Sequence, residues 1–337
     1  MKLIVFLLPI LLLVACGQEK SDLVLRVGHT LDTEHVVHKS LVHMSERLSH
    51  YSQGTMSLKL YANGQLGSER EMVELLQIGS LAITKVSAAA MEGFVPEMKI
   101  YSLPYIFSNR SHRWRVLQGE VGKGILSSSE KANLTGLGYF DAGSRSFYTC
   151  KSMVRTPNDV VGKKIRVMSS QTAIKMVEVF GGAATPISWG ELYAALQQGV
   201  VDGAENNPPS YYLSHHYEIC PYYSLNEHTS VPDVIIASKH IFDSLESQQQ
   251  QWLKLAMNDA VEFQKSLWMN AEESALAAVK AAGVEVITPD KQPFFDAVAP
   301  FHATFHNTDI GELLQKIKQV PADDLQIIDS SLGGTHD

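Results

Sequence analysis

Ser68-Glu-Arg-Glu71-Met-Val-Glu-Leu-Leu-Gln77-Ile-Gly79 and Ser188-Trp-Gly-Glu191-Leu-Tyr-Ala-Ala-Leu-Gln197-Gln-Gly199 follow one local pattern, 120 residues apart. Each opens on a Ser with a Glu three residues on, the capping box that satisfies free amides at a helix start. Each continues as an apolar helical run and stops at a Gly eleven residues after the Ser, where a C-terminal cap belongs. An apolar run follows both stops, Leu81 to Val86 in the first and Val200-Val201 in the second. A matching cap, helix, stop and strand in each half predicts two similarly built α/β lobes with a ligand between them.

Outward from the first copy, Leu23-Val-Leu-Arg-Val-Gly28 alternates like a strand, Glu34 to His50 carries apolar residues at helical spacing, and Met56 to Tyr61 alternates again. The chain has 337 residues, 45% hydrophobic and 19% charged, which suits a large core and, at roughly 100 to 200 residues per domain, two domains. Ser247 to Ala282 contains neither Pro nor Gly and reads as one helix, roughly 54 Å long at 1.5 Å per residue. Its apolar positions, including Trp252, Phe263 and Trp268, sustain no heptad, so a backbone helix lying across both lobes is preferred to a coiled-coil strand.

Lys and Arg number 28 against 36 Asp and Glu, a net charge of -8, and no block of five like charges occurs. The basic stripe that tracks nucleic acid is therefore missing, and small molecules or proteins are the expected partners. The sequence has no P-loop, no three-glycine dinucleotide fingerprint, no Gly-x-Ser-x-Gly and no His-Glu-x-x-His. Ser128 and Lys131 have Ser-x-x-Lys spacing without its companion motif and read as a polar loop or helix end. His302 with His306, and His35 with His38, have spacings that suit two metal ligands, but neither pair has a local third. No cofactor or metal is expected.

At the N-terminus, Lys2 precedes the apolar run Ile4 to Ala15, broken by Pro9 and short of the roughly 20 residues a membrane span needs. It reads as a secretory signal. Leu13-Val-Ala-Cys16-Gly17 resembles a bacterial lipobox, so residues 1–15 are expected to be removed and Cys16 to carry lipid, with 16–22 as a tether. Export permits a disulfide between Cys150 and Cys220, and the sequence leaves a bridge and two separate buried thiols both open.

Lys164-Ile-Arg166-Val167 looks like a short strand that places Arg166 between two β-branched apolar residues. A guanidinium there loses solvent and needs an anion, either Asp202 or Glu205 internally or a ligand carboxylate. Arg145, in Gly143-Ser-Arg-Ser-Phe-Tyr148, follows the strand Leu137 to Phe140, so two guanidiniums could clamp one carboxylate. Val201-Asp-Gly-Ala-Glu-Asn206-Asn-Pro208 is expected to end its strand in a polar turn offering amides to a ligand.

Taken together, Val27-Gly-His29, Gly64-Gln-Leu-Gly67, Leu103-Pro-Tyr-Ile-Phe107, Gly162-Lys-Lys-Ile-Arg-Val167 and Glu191 to Pro208 resemble the DctP-type solute-binding proteins of tripartite ATP-independent periplasmic (TRAP) transporters. The resemblance implies a two-lobed periplasmic binding protein fold, type II-like, with a central cleft, a long helix spanning both lobes, and TRAP membrane subunits as partners. It implies that Arg166 forms the salt bridge to the ligand carboxylate, that Arg145 is a second carboxylate contact, and that Asn206 is a polar one. Glu69 would reach polar groups at the far end of the ligand, and Trp189 would pack on it, unless Trp189 is a core residue or a staple at its helix start. His29, Thr30, Ser87, Ser169 and Asp233 align loosely with positions around the ligand, and ordinary loop polarity explains them equally well.

The stretch Asp202 to Tyr211, with Gly143 to Tyr148 and Glu227-His228, looks most like members that bind hexuronates such as glucuronate or galacturonate. Trp189 stands where a Phe or Tyr is more usual, and Pro208-Pro209 replaces a more usual Asn-Pro or Trp-Pro. The implied boundaries are 23–142 with 231–271 for the first lobe, 143–230 with 272–330 for the second, and 331–337 as a tail. Other readings are a C4-dicarboxylate or other organic-acid binder, a surface-anchored enzyme using Glu69 or His29 as acid/base, and a binding protein that reports to a sensor.

Overall fold

The computed structural model describes residues 23–322, so the expected signal segment, the expected lipidation site Cys16 with its tether, and the tail 331–337 lie outside the described residues. The strands are β1 (Leu23–Gly28), β2 (Met56–Tyr61), β3 (Ile83–Ser87), β4 (Leu134–Phe140), β5 (Arg145–Thr149), β6 (Lys164–Val167), β7 (Ala183–Pro186), β8 (Gly203–Asn206), β9 (Tyr222–Thr229), β10 (Asp233–Ser238) and β11 (Glu285–Ile287). They form two sheets, in the orders β2-β1-β3-β10-β4 and β11-β9-β5-β8-β6-β7. This is the expected α/β fold in two lobes, one sheet to each. β1 pairs parallel with both β2 and β3, whereas β10 runs antiparallel between β3 and β4. The chain thus leaves the first sheet after β4, builds the second, and returns through β9 to insert β10.

The repeated unit is present in both lobes. The helices Glu69–Gln77 and Trp189–Gln197 each end at a left-handed glycine, Gly79 with φ 72° and Gly199 with φ 68°. Their closing hydrogen bonds match: Gly79 N to Leu76 O and Ser80 N to Leu75 O in one, Gly199 N to Leu196 O and Val200 N to Ala195 O in the other. A residue without a Cβ suits this backbone turn best. The starts differ. Ser68 and Glu71 form the full capping box, but Ser188 makes no side-chain cap and its hydroxyl donates to Glu191 instead, at 2.6 Å.

The following strands begin later than expected, at Ile83 and Gly203, four residues past each glycine. Val200 is solvent-exposed, and the segment expected to be a polar turn is a fully buried strand, β8. Its polar residues tolerate burial because Arg145 takes up Glu205 and Asn206. Gly203 has its own reason to be glycine: a Cβ there would sit 2.3 Å from the Tyr148 carbonyl oxygen.

The long helix Ser247–Ala281 packs on the helix Val36–Tyr51 and β4 of the first lobe and on the helix Pro208–Leu213 of the second. It lies across both lobes, as preferred. The last described helix, Asp309–Gln319, was expected with the second lobe but packs on Pro96–Ser102 and Glu120–Ser128 of the first. Ile310, Leu314 and Ile317 supply its buried face, and His112 donates to the Ile317 carbonyl at 3.0 Å. Among the cysteines, the bridge is the alternative realised: Cys150 and Cys220 are disulfide-bonded beside a core of Tyr148, Tyr211 and Tyr223.

A ligand-binding cleft between the lobes

The C-terminal ends of the parallel strands face the space between the lobes, where open α/β sheets place their ligands. β1 delivers Thr30, β3 delivers Ser87, β6 delivers Ser169 and β8 delivers Asn206 to one cavity of about 170 Å³. That is below the roughly 300–1,000 Å³ of drug-sized pockets and suits one small metabolite. Arg166, Arg145, Glu69, Trp189 and Asp233 complete the set of expected residues lining it.

Arg166 sits in β6 between β8 and β7. Alternation along the strand sends Ile165 and Val167 into the core and Arg166 to the other face, 2% exposed. Its Nε donates to the Ile187 carbonyl at 2.8 Å, while buried Nη1 has no partner. Burial draws its pKa down, and its Cζ lies 5.9 Å from the centre of the Trp189 ring. The internal pair weighed for Arg166 is not made: Asp202 accepts from the Lys164 amide, and Glu205 belongs to Arg145.

Arg145 starts β5 and is held on three sides. Its Nε pairs with Glu205, Nη2 reaches Glu205 Oε1 at 2.9 Å and the Glu205 carbonyl at 2.7 Å, and Nη1 reaches Asn206 Oδ1 at 2.7 Å. Burial alone would raise Glu205, but the Arg145 charge, helped by His228, holds it at about 2. The two arginines are therefore not equal arms of a clamp. Of five guanidinium protons, Arg145 retains one for a ligand, whereas Arg166 retains the fork that binds a carboxylate bidentately.

The first lobe presents a different surface. Lys85, in the middle of β3, is buried and places its ammonium 3.1 Å from Glu69 Oε1 and 2.9 Å from Asp233 Oδ1. Burial opposes its charge, and Asp233 and Glu69 more than restore it, so its pKa is raised. Glu69 Oε1 also accepts from the Ser87 amide at 3.2 Å. Sequence reasoning passed over Lys85, although one cation within Ile83-Thr-Lys-Val-Ser87 carries the same signal as Arg166. It also passed over His35, Asn207 and Ser210 on the cavity wall. His35 Nε2 and Ser210 Oγ lie 3.3 Å apart across the lobes, and burial holds the imidazole neutral with a pKa of about 3. His29 is not brought to this cavity. It is fully buried, its Nε2 sharing a hydrogen bond with His38 Nδ1 at 2.9 Å and its Nδ1 accepting from the Leu31 amide.

Among the described residues no group of three or more His, Cys, Asp or Glu side chains could hold a metal, and no helix is long and apolar enough to cross a membrane. The cavity has a desolvated cation at one lobe and carboxylates paired with an ammonium at the other.

Comparison with known proteins agrees with this geometry. The profile of the bacterial extracellular solute-binding proteins, family 7 (DctP), matches residues 27–309. A solute-binding protein of Chromohalobacter salexigens is 34% identical over 77% of this chain and 77% of its own. The TRAP periplasmic solute-binding protein of Xanthobacter autotrophicus Py2, solved with bound β-D-galacturonate, superposes with a TM-score of 0.85 at 36% identity, covering 88% of this chain and 100% of that one. That of Pseudomonas putida F1, with bound D-glucuronate, gives a TM-score of 0.86 at 34% identity over 90% and 100%. With its two lobes, interlobe cleft and matched profile, the chain belongs to the DctP family of TRAP solute-binding proteins.

Proposed function

We propose that this protein captures a hexuronate outside the cytoplasm and delivers it to TRAP membrane subunits without altering it. The observation that carries the reading is the buried guanidinium of Arg166, whose Nη1 has no protein partner at the wall of a monosaccharide-sized cavity. A carboxylate there completes a charge-assisted pair in a water-poor site, where it counts for most. Trp189 offers the sugar an aromatic face, and Asn206, Glu69, Asp233, Ser87, Thr30 and Ser169 offer its hydroxyls donors and acceptors. Galacturonate and glucuronate in the two similar structures support the ligand class.

The lobes in this reading are 23–142 with 231–271, joined by the helix Asp309–Gln319, and 143–230 with 272–308. Closure brings Arg166 and Lys85 to opposite sides of one ligand, and the closed form is what the membrane subunits recognise. Lipid on Cys16 holds the protein at the membrane beside them. Capture without turnover is what the solute-binding family supports, and the His35–Ser210 contact at 3.3 Å is read as a tie between the lobes across the cavity wall.

The test is calorimetric titration of the protein with glucuronate, galacturonate, C4-dicarboxylates and neutral sugars, beside Arg166→Ala. Saturable binding of a hexuronate by the wild type alone is expected. Preference for a C4-dicarboxylate or a neutral sugar, or equal binding by the variant, would overturn the reading.

A further inference from the structure

Glu69 and Asp233 face the ligand in this reading, and Lys85 ties them into one group. One buried ammonium lies between two carboxylates, 3.1 Å from Glu69 Oε1 and 2.9 Å from Asp233 Oδ1. With all three ionised the group carries a net charge of -1. All three residues line the cavity, and so does Arg166, so its wall is electrically polar: positive at the second lobe, negative at the first. The Arg145–Glu205 pair is neutral as a unit and changes neither end. Arg70, on the cavity rim, is solvent-exposed and turned to Glu74 at 3.0 Å, so it does not offset the negative end.

We propose that Lys85 is a positioning residue that makes the cleft select acids with one carboxylate and a hydroxylated far end, and reject those charged at both ends. The ammonium engages Glu69 Oε1 and Asp233 Oδ1, which turns the remaining carboxylate oxygens, Oε2 and Oδ2, to hydroxyl donors of the ligand. A hydroxyl gives a proton to such oxygens; a second carboxylate has none to give and meets like charge where water is excluded. Glucarate and galactarate, which carry a carboxylate where a hexuronate carries its anomeric hydroxyl, should therefore be refused. This rests on the hexuronate reading and deepens it, by assigning specificity to the lobe opposite Arg166.

The experiment measures dissociation constants for each hexuronate and its aldarate by calorimetry, on the wild type, Glu69→Gln and Lys85→Gln. The wild type should favour the hexuronate by at least about 30-fold. Glu69→Gln brings the group to neutral and should shrink that ratio about tenfold, while Lys85→Gln, which leaves it more negative, should widen it. Comparing ratios between variants cancels the ring opening that separates an aldarate from a hexuronate. A purely structural lysine would weaken both ligands equally and leave the ratio unmoved, which would overturn the proposal. Equal wild-type affinity for both acids overturns it too and leaves the hexuronate reading standing; failure of every hexuronate to bind overturns that reading first.

Discussion

Arg145 and Glu205 close on each other through two nitrogens and two carboxylate oxygens in the floor of the second lobe, and that pairing is what leaves Arg166 for a ligand. Had Glu205 turned to Arg166 on β6 instead, Arg145 would be the guanidinium left without a carboxylate.

The two arginines should therefore fail differently. Arg166→Met removes a buried charge that lacks a partner, so the ligand-free protein should keep or slightly raise its Tm while hexuronate affinity falls about 30- to 1,000-fold. Arg145→Met strands Glu205 in the core and should cost about 3–5 kcal/mol of stability. Thermal unfolding with and without ligand separates the two effects. A ligand-free Arg166→Met protein as damaged as Arg145→Met would contradict this division of roles.

Glu92 reaches from the first lobe to the start of the helix Gln171–Val179 in the second. Its carboxylate accepts from Ser170 Oγ at 2.5 Å, Thr172 Oγ1 at 2.9 Å and the Thr172 amide at 3.3 Å. An anion at a helix N-terminus is favoured by the dipole as well as by these donors. Glu92 does not line the ligand cavity, so Glu92→Ala should speed ligand release about tenfold through loss of lobe closure, with little change in association rate. Stopped-flow kinetics measures both rates.

The Cys150–Cys220 bond spans 70 residues of sequence, from just after β5 to just before β9. Loop entropy assigns such a closure about 4 kcal/mol, and reduction or Cys150→Ser with Cys220→Ser should lower Tm by several degrees. Because the bond lies among Tyr148, Tyr211 and Tyr223 rather than at the cleft, hexuronate affinity at 25 °C should change less than twofold. Calorimetry on the reduced protein checks both halves.

Stability should fall on mild acidification. Burial depresses His29, His35 and His216 to about 3, against 6.5 in the unfolded chain. The unfolded state then binds more protons between pH 6.5 and 3, so their contribution is full above pH 6.5 and is lost as pH falls through that window, at up to about 1.4 kcal/mol per pH unit for each group. Glu205, held at about 2, adds the same sign below about pH 4.5. Denaturant midpoints should drop steadily from pH 7 to pH 4, and a flat profile would show these imidazoles to be solvated.

Local elements were legible because short-range rules govern them. The capping box at Ser68, the glycines at 79 and 199, the strand around Arg166 and the uninterrupted helix from Ser247 all stand where spacing and backbone preference put them. Those rules misplaced β8, since polarity in Gly203-Ala-Glu-Asn206 reads as a turn until Arg145, 60 positions before Glu205, neutralises it inside a sheet. Lys85 escaped for the same reason: its two partners come from a helix start and from a strand that returns from the other lobe.

The amino-acid sequence by itself determined the α/β alternation, the duplicated unit, the long helix and the residues from which a carboxylate site is made, because periodicity and capping act over a few positions. Only the tertiary structure decided which arginine stays uncommitted, that Cys150 meets Cys220, that His29 is buried away from the cleft, and that Lys85 sits between two acids. Those outcomes depend on which charges and thiols the sheets bring within a few ångströms, and sequence separation does not encode that distance.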